Sequence, residues 1–436
     1  MYRETSEELI DFIKKSPSPF HVIENMKDKL DKEGFKELKE CKRWNIEKGG
    51  RYYVTRNDSS IIAFKVPHND FTGFNIISSH SDSPSFKIKE NPEIKVENKY
   101  VKLNVEKYGG MIMAPWFDRP LSAAGRIVVK SDSKIKSINV NIDRDLFVIP
   151  NLAIHMNREV NDGYKFNPQK DMLPLFAGEN IEAKFSKILA DTANVNENNI
   201  LATDMFLYNR QKGSIWGADY EFISSTKLDD LQCAFSSLKG FIKSTNEYSI
   251  SVHCVLDNEE VGSGTKQGAA STFLKDTLIR VNKCLNKDEE DYRTALASSF
   301  MISADNAHAV HPNYSDKSDP TSRPYVNGGI VIKHSANQKY TTDAVSCAIM
   351  KTICDKADVP YQMFSNRSDM AGGSTLGNIS NTQVALNTVD IGVAQLAMHS
   401  PYETGGVKDT YYLFKMAETF FNSGIKIEEN GTISVI

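Results

Sequence analysis

Apolar and polar positions change rhythm along the chain. Near the start, Leu9, Phe12 and Ile13 fall on one helical face, and Thr5 with Glu8 has the spacing of a capping box. A helix is therefore predicted from about Thr5. Ser16-Pro17-Ser18-Pro19 stops it, and a second amphipathic helix is expected after His21. Two short apolar runs, Ile61-Ile62-Ala63-Phe64 and Phe74-Asn75-Ile76-Ile77, are bounded by polar turns and predict buried strands. From about residue 92 the period becomes two. Ile94 and Val96, then Val101, Leu103 and Val105, then Ile138, Val140 and Ile142 alternate with polar residues, the pattern of half-buried antiparallel sheet. Few long helical patterns occur before about residue 220. After that, strand and helix patterns alternate. Leu231, Ala234, Phe235, Leu238, Phe241 and Ile242 form a helical stripe, Ile250 to Leu256 reads as a strand, and the last helix runs from about Asp409 to Phe421.

The outline is α/β, then a β-rich block, then α/β again. The economical interpretation is one α/β domain, residues 1–91 and 213–436, interrupted by a β-rich domain at 92–212. No internal repeat or low-complexity segment is visible. A chain of 436 residues can bury a sizeable core, and 40% hydrophobic with 25% charged residues is ordinary for a soluble globular protein. The formal net charge of -4 gives no electrostatic basis for binding nucleic acid or an anionic membrane. The lysine-rich stretch around Lys27, Lys29 and Lys32 is interleaved with acids and reads as a solvated helix face. No apolar run approaches the ~20 residues of a membrane span, and the opening Met-Tyr-Arg-Glu-Thr-Ser-Glu-Glu carries no apolar stretch of a secretory signal. The six cysteines are widely spaced, with no C-x-x-C pair, and read as reduced thiols of a cytoplasmic protein.

The candidate chemistry lies where apolar runs end. In open α/β sheets, ligands gather at the C-terminal ends of strands. His80-Ser81-Asp82 follows the run ending at Ile77, and an extended segment puts both side chains on one face. Alone, this pair is as compatible with a surface pair as with a metal ligand and its support. Asp229-Asp230 precedes the helical stripe, where a simple helix cap is the competing reading. Asp257-Asn258-Glu259-Glu260 directly follows an apolar strand. Of two adjacent glutamates there, one can bind a metal while its neighbour acts as general base on a water molecule. Asp305, Asn306 and His308 follow Phe300-Met301-Ile302, and His399 follows the apolar stretch from Val389. Singly, each of these is consistent with a satisfied core or loop residue. Together, two histidines and three carboxylates match the nitrogen and oxygen ligand set of a two-metal hydrolytic site. His68, His253, His311 and His334 have no such support and are expected to be structural.

These stretches resemble the aspartyl aminopeptidase family of cocatalytic metallopeptidases, over nearly the whole chain. The resemblance runs through Ser16-Pro17-Ser18-Pro19-Phe20-His21, Trp116-Phe117-Asp118-Arg119-Pro120-Leu121, Ala124-Gly125-Arg126 and Ile154-His155-Met156-Asn157-Arg158. It continues through His311-Pro312-Asn313-Tyr314, Gly329-Ile330-Val331-Ile332-Lys333, Arg367-Ser368-Asp369 and Val389-Asp390-Ile391-Gly392, and closes at Met398-His399-Ser400 and Glu403. The resemblance implies a catalytic domain with a central mixed sheet flanked by helices, interrupted by a β-rich dimerisation domain. It implies removal of N-terminal acidic residues from peptides and assembly through dimers into dodecamers. It further implies two divalent ions, typically zinc. His80, Asp229 and Asp305 would hold one ion and Asp229, Glu260 and His399 the other. Asp82 would orient His80, Glu259 would be the general base, and His308 and Lys333 would line the substrate pocket. His155 would reach the active site of the neighbouring subunit.

The sequence departs from the family's pattern at two positions. Asp230 stands where the family often has Asn after its bridging aspartate, and Tyr402 where it often has Arg. Both bear on specificity. Two alternatives therefore stand beside the acidic aminopeptidase: a dinuclear hydrolase of broader or different specificity, such as another aminopeptidase or a deacylase, and a catalytically idle assembly protein on the same scaffold.

Overall fold

A computed structural model describes residues 1–428 and 430–436. Its backbone is a large mixed sheet with helices on both faces, together with a second sheet that has its own core. In the large sheet, four neighbouring strands run parallel in the order Ile250–Leu256, Phe74–His80, Phe300–Ala304 and Asn387–Leu396. Their C-terminal ends therefore lie side by side, and Leu256 pairs with His80. Antiparallel strands flank them, Ser60–Lys65 on one side and Glu403–Gly406 on the other.

The parallel strands are almost wholly buried because both their faces are covered. Side chains alternate between two apolar layers. Phe74, Ile76, Val252, Cys254 and Met301 join a cluster with Phe273, Leu274, Leu278 and Val281 of the helix Phe273–Cys284. Ile77, Val255, Phe300, Ile302 and Ile391 face the other layer, made by the helices Tyr2–Lys14, Leu228–Lys243 and Val407–Asn422.

The period-two block folds as a sheet of six strands running from Ser85 to Asn209, closed over Phe86, Leu103, Val105, Leu121, Ile127 and Phe147. It also contains a helix, Phe185–Ala193, which the sequence pattern did not show; at nine residues it is too short to establish a period. The first helix begins at Tyr2, earlier than Thr5, and no side chain caps it. Thr5 instead turns its hydroxyl back to the carbonyl of Met1, at 3.0 Å, which corrects the capping-box reading. The second helix starts at Pro19, two residues before His21, with proline in the first turn where its missing N–H costs nothing. No helix among the described residues is long and apolar enough to cross a membrane.

Candidate metal centre

The four parallel strand ends deliver most of the acidic and imidazole groups to one place. His80 ends its own strand, Glu259 and Glu260 follow Leu256, Asp305 follows Ala304, and His399 follows Leu396. Asp229 and Asp230 enter from the start of the Leu228–Lys243 helix, where both have non-helical backbone angles. Neither caps that helix, so the competing cap reading is not what the structure holds.

Donor atoms group in three overlapping sets, each within 4.8 Å: His80 with Asp229, Asp230 and Asp305; His80 with Glu259 and Glu260; Asp229 with Glu260 and His399. Asp229 is central to the arrangement. Its Oδ1 lies 3.5 Å from His80 Nε2, while its Oδ2 lies 3.3 Å from His399 Nε2, itself 3.4 Å from Glu260 Oε2. Asp229 Oδ1, Asp230 Oδ1 and Glu260 Oε1 are buried without a hydrogen-bond partner. Orphaned buried carboxylate oxygens are costly unless a cation takes them. The residues present therefore fit divalent ions, with oxygen and imidazole donors of the kind zinc accepts.

Electrostatics support the same reading. Burial lifts the carboxyl groups of Asp230 and Glu260 well above their ordinary range, lifts that of Asp305, and lifts Glu259 to about 8. Burial also lifts Glu403 to about 8, helped by the charge of Asp229. Asp229 goes the other way: burial would raise it, but the neighbouring imidazoles of His399 and His80 hold it low. Burial would lower His399, yet Asp229 outweighs that and raises it to about 8. The protein has gathered more negative charge than its own cations balance.

Supporting contacts fix the ligand side chains. His80 Nδ1 lies 3.1 Å from the backbone carbonyl of Asp82 and 3.5 Å from its carboxylate. The Asp82 carboxylate chiefly accepts the backbone N–H groups of Glu259 and Glu260, each at 3.1 Å, and the hydroxyl of Tyr108 at 2.7 Å. Asp230 accepts the N–H of His80 at 3.1 Å. Glu403 accepts the N–H groups of Asp229, at 3.0 Å, and His399, at 2.7 Å. The imidazole Nδ1 of His399 is 2.5 Å from the carbonyl of Gly110, which leaves Nε2 free to ligate. The sequence pattern reveals neither Asp230 as a donor nor Tyr108 and Gly110 as supports, and it gives Glu403 no role.

Lys333 is buried beside the cluster, 3.8 Å from Asp305 Oδ1, and donates to the carbonyl of Asn306 at 3.2 Å. The ring of His308 meets that of Phe364 edge to face, 6.2 Å between centroids. His155 stands apart: it is exposed on a turn, and no hydrogen bond or ion pair among the described residues joins it to the cluster. Tyr402 points away, with its hydroxyl 3.0 Å from both Ser214 Oγ and the carbonyl of Lys212.

Comparison with known proteins agrees with this geometry. The family model of aminopeptidase I zinc metalloproteases (M18) matches residues 12–421. A probable M18 family aminopeptidase 2 of Clostridium novyi (strain NT) is 49% identical over 425 residues, covering 95% of this chain and 98% of that protein. A protein of the same description from Ectopseudomonas mendocina (strain ymp) is 40% identical over 431 residues, covering 97% and 99%. The fold matches that seen in the cryo-EM structure of the Ape4 and Nbr1 complex, with a TM-score of 0.93 at 35% identity, covering 96% of this chain and 86% of that one. It also matches the S. cerevisiae mApe1 dodecamer, with a TM-score of 0.85 at 27% identity, covering 96% and 97%. The protein is thus a metallo-aminopeptidase, a hydrolase acting on peptides, rather than an idle assembly protein. The chain belongs to the M18 family, a family of zinc metalloproteases.

Proposed function

We propose that this aminopeptidase removes N-terminal Asp or Glu from peptides at a two-ion site, with zinc as the native metal in keeping with its family. The observation that carries the reading is Asp229, whose two oxygens face different histidines. His80, Asp229 and Asp305 would hold one ion, and Asp229, Glu260 and His399 the other, with Asp229 as the bridge. Bound there, the ions would polarise the scissile carbonyl and make a water molecule more acidic. Glu259, next to the ligand Glu260 but outside the proposed ligand set, takes the proton from the attacking water and delivers it to the departing amine. Asp82 holds the Glu259–Glu260 turn in place through both backbone N–H groups.

Lys333 and His308 would receive the substrate's acidic side chain. His155, on the exposed turn, would come from the neighbouring subunit to the substrate carbonyl as negative charge develops there. That role makes the β-rich block, read from the sequence as 92–212 and with its sheet beginning at Ser85, the dimerisation domain and the active enzyme at least a dimer. Exposed Leu152, Ile154 and Met156 beside His155 give such a contact apolar surface, and the dodecamer formed by mApe1 supports assembly to that size. Six free cysteines suit a reducing cytoplasm. A broader specificity is the second reading. It is favoured by Asp305, which already sits opposite Lys333, and by Tyr402, which points away from the site. One experiment tests the proposal: metal analysis of the purified protein, with turnover of Asp-, Glu-, Ala- and Leu-leading dipeptides before and after chelation. Metal-dependent turnover favouring Asp and Glu is expected. Faster turnover of the neutral dipeptides would overturn the acidic preference.

A further inference from the structure

The strand Tyr100–Tyr108 belongs to the second sheet, yet the residues at its end reach the metal centre. The hydroxyl of Tyr108 donates to Asp82 Oδ2 at 2.7 Å and accepts from Asn258 Nδ2 at 2.7 Å. The same Asp82 carboxylate holds the N–H groups of Glu259 and Glu260. Gly109, at φ +80°, lies against Glu260: a Cβ there would come within 3.1 Å of Glu260 Cβ and 3.3 Å of its carbonyl oxygen. Gly110 accepts from His399 Nδ1 at 2.5 Å, and Ile112 N–H donates to the carbonyl of His399 at 3.1 Å. Tyr108, Gly109, Gly110 and Ile112, at and just past the end of a strand of the second sheet, thus touch the turn that carries Glu260 and both the ring and the backbone of His399.

We propose that Tyr108–Ile112 is a positioning strap that sets the Glu260–His399 half of the metal centre, so that the affinity of the second ion depends on the second sheet. The inference rests on the two-ion reading above. Its physical basis is the control that partners behind a ligand exert over metal affinity. The N–H of a ligating imidazole bonded to a carbonyl fixes the ring and its tautomer, and a held carboxylate turn fixes the neighbouring oxygen donor. The strap supplies both. Among the described residues, no hydrogen bond or ion pair joins this segment to His80 or Asp305; it reaches that half only through Asp82. The strap therefore acts on one ion more than on the other.

The test uses the full chain as wild type, Tyr108→Phe and Gly109→Ala. Each protein is stripped with chelator and titrated with Co²⁺ alone. Visible absorption and chelator competition give the two affinities, while circular dichroism and sedimentation follow fold and oligomer size. Wild type is expected to take two ions. Both variants should bind the first ion like wild type, but the second roughly 10–100-fold more weakly, with a changed visible spectrum. A strap that only glued the two sheets together would lower the melting temperature and leave the spectrum and both affinities unchanged. That result would overturn the proposal. Gly109→Ala places a side chain at a left-handed φ; should it fail to fold, Tyr108→Phe, which removes a single oxygen, decides the matter alone. Wild type that took up no second ion would overturn the two-ion reading itself and the strap with it, whereas two tightly bound ions in wild type and variants alike would overturn the strap only.

Discussion

Replacing Lys333 with methionine keeps an unbranched apolar stem, one atom shorter, and removes the charge. The ammonium is 2% exposed, so almost no water competes for it. Of its three N–H groups, one is used within the described residues, on the carbonyl of Asn306 at 3.2 Å. Asp305 Oδ1, at 3.8 Å, attracts the charge without a hydrogen bond, and the ring of Tyr340 lies 5.2 Å away. Donor capacity is left for a substrate carboxylate. A hydrogen bond to a charged group contributes about 1.5–3 kcal/mol, so losing it should lower kcat/KM for Asp- and Glu-leading peptides by roughly 10–150-fold. Ala- and Leu-leading peptides make no such bond and should fall by less than about 3-fold. The assay is kcat/KM for all four substrates in Lys333→Met, with metal content measured alongside, because Asp305 loses a neighbouring cation. Equal losses on acidic and neutral peptides at full metal occupancy would show that Lys333 supports Asp305 and does not read the substrate.

Glu259→Gln keeps the shape of the side chain and removes its basicity, so metal should stay bound while kcat falls by roughly 100-fold or more; near-normal kcat would require another base. Reassembling dissociated His155→Ala with Glu259→Gln subunits should restore part of the activity, since some mixed dimers pair an intact Glu259 site with an intact His155 from the partner. Mixed dimers formed without recovery would place His155 outside the neighbouring site. His253 is fully buried, stacked on Phe241 with both ring nitrogens unpartnered, and burial lowers it to about 3. Its folded pKa lies below the unfolded value, so only the unfolded chain takes up a proton as pH falls below about 6.5, and stability is lost from there down towards pH 3. At pH 5 the loss is about 2 kcal/mol. The unfolding free energy of His253→Met relative to wild type should therefore rise by that amount between pH 7.5 and pH 5, and a pH-independent difference would refute the assignment.

Sequence legibility followed the range over which each signal acts. The parallel strands could be read because a strand buried on both faces must be a continuous apolar run, and Ile250 to Leu256 coincides with the strand found. The donor residues could be read for the same reason: a charge that ends such a run is expensive unless something uses it. Helix starts were harder. Thr5 carries a capping residue type, but the helix had room to begin at Tyr2, and the hydroxyl found the carbonyl of Met1 instead. In the sequence Asp230 is a departure from a family pattern, whereas its place beside His80 and Asp305 depends on the turn at the start of the Leu228–Lys243 helix, which no periodicity encodes. The contact of Gly110 with His399 was beyond reach altogether. A backbone carbonyl has no residue-type signature, and the two positions lie 289 residues apart.

The excess of carboxylates fits these loops to divalent ions. Buried without cations, Asp230, Glu259, Glu260, Asp305 and Glu403 all resist ionisation, while Asp229 stays charged only by drawing on His80 and His399. A proton on one of these carboxyls neutralises it but gives a donor where the neighbouring oxygens offer few free directions, and it leaves Asp229 Oδ1 and Glu260 Oε1 still without partners. A divalent ion does what a proton cannot: it satisfies several oxygens at once and offsets two charges. Binding energy at such a site is therefore also ordering energy for the segments that carry the donors. Those segments come from four strand ends and one helix start, and the Tyr108–Ile112 segment that touches Glu260 and His399 comes from a second sheet. If the strap acts as proposed, metal occupancy and the mutual placement of the two sheets form one linked equilibrium.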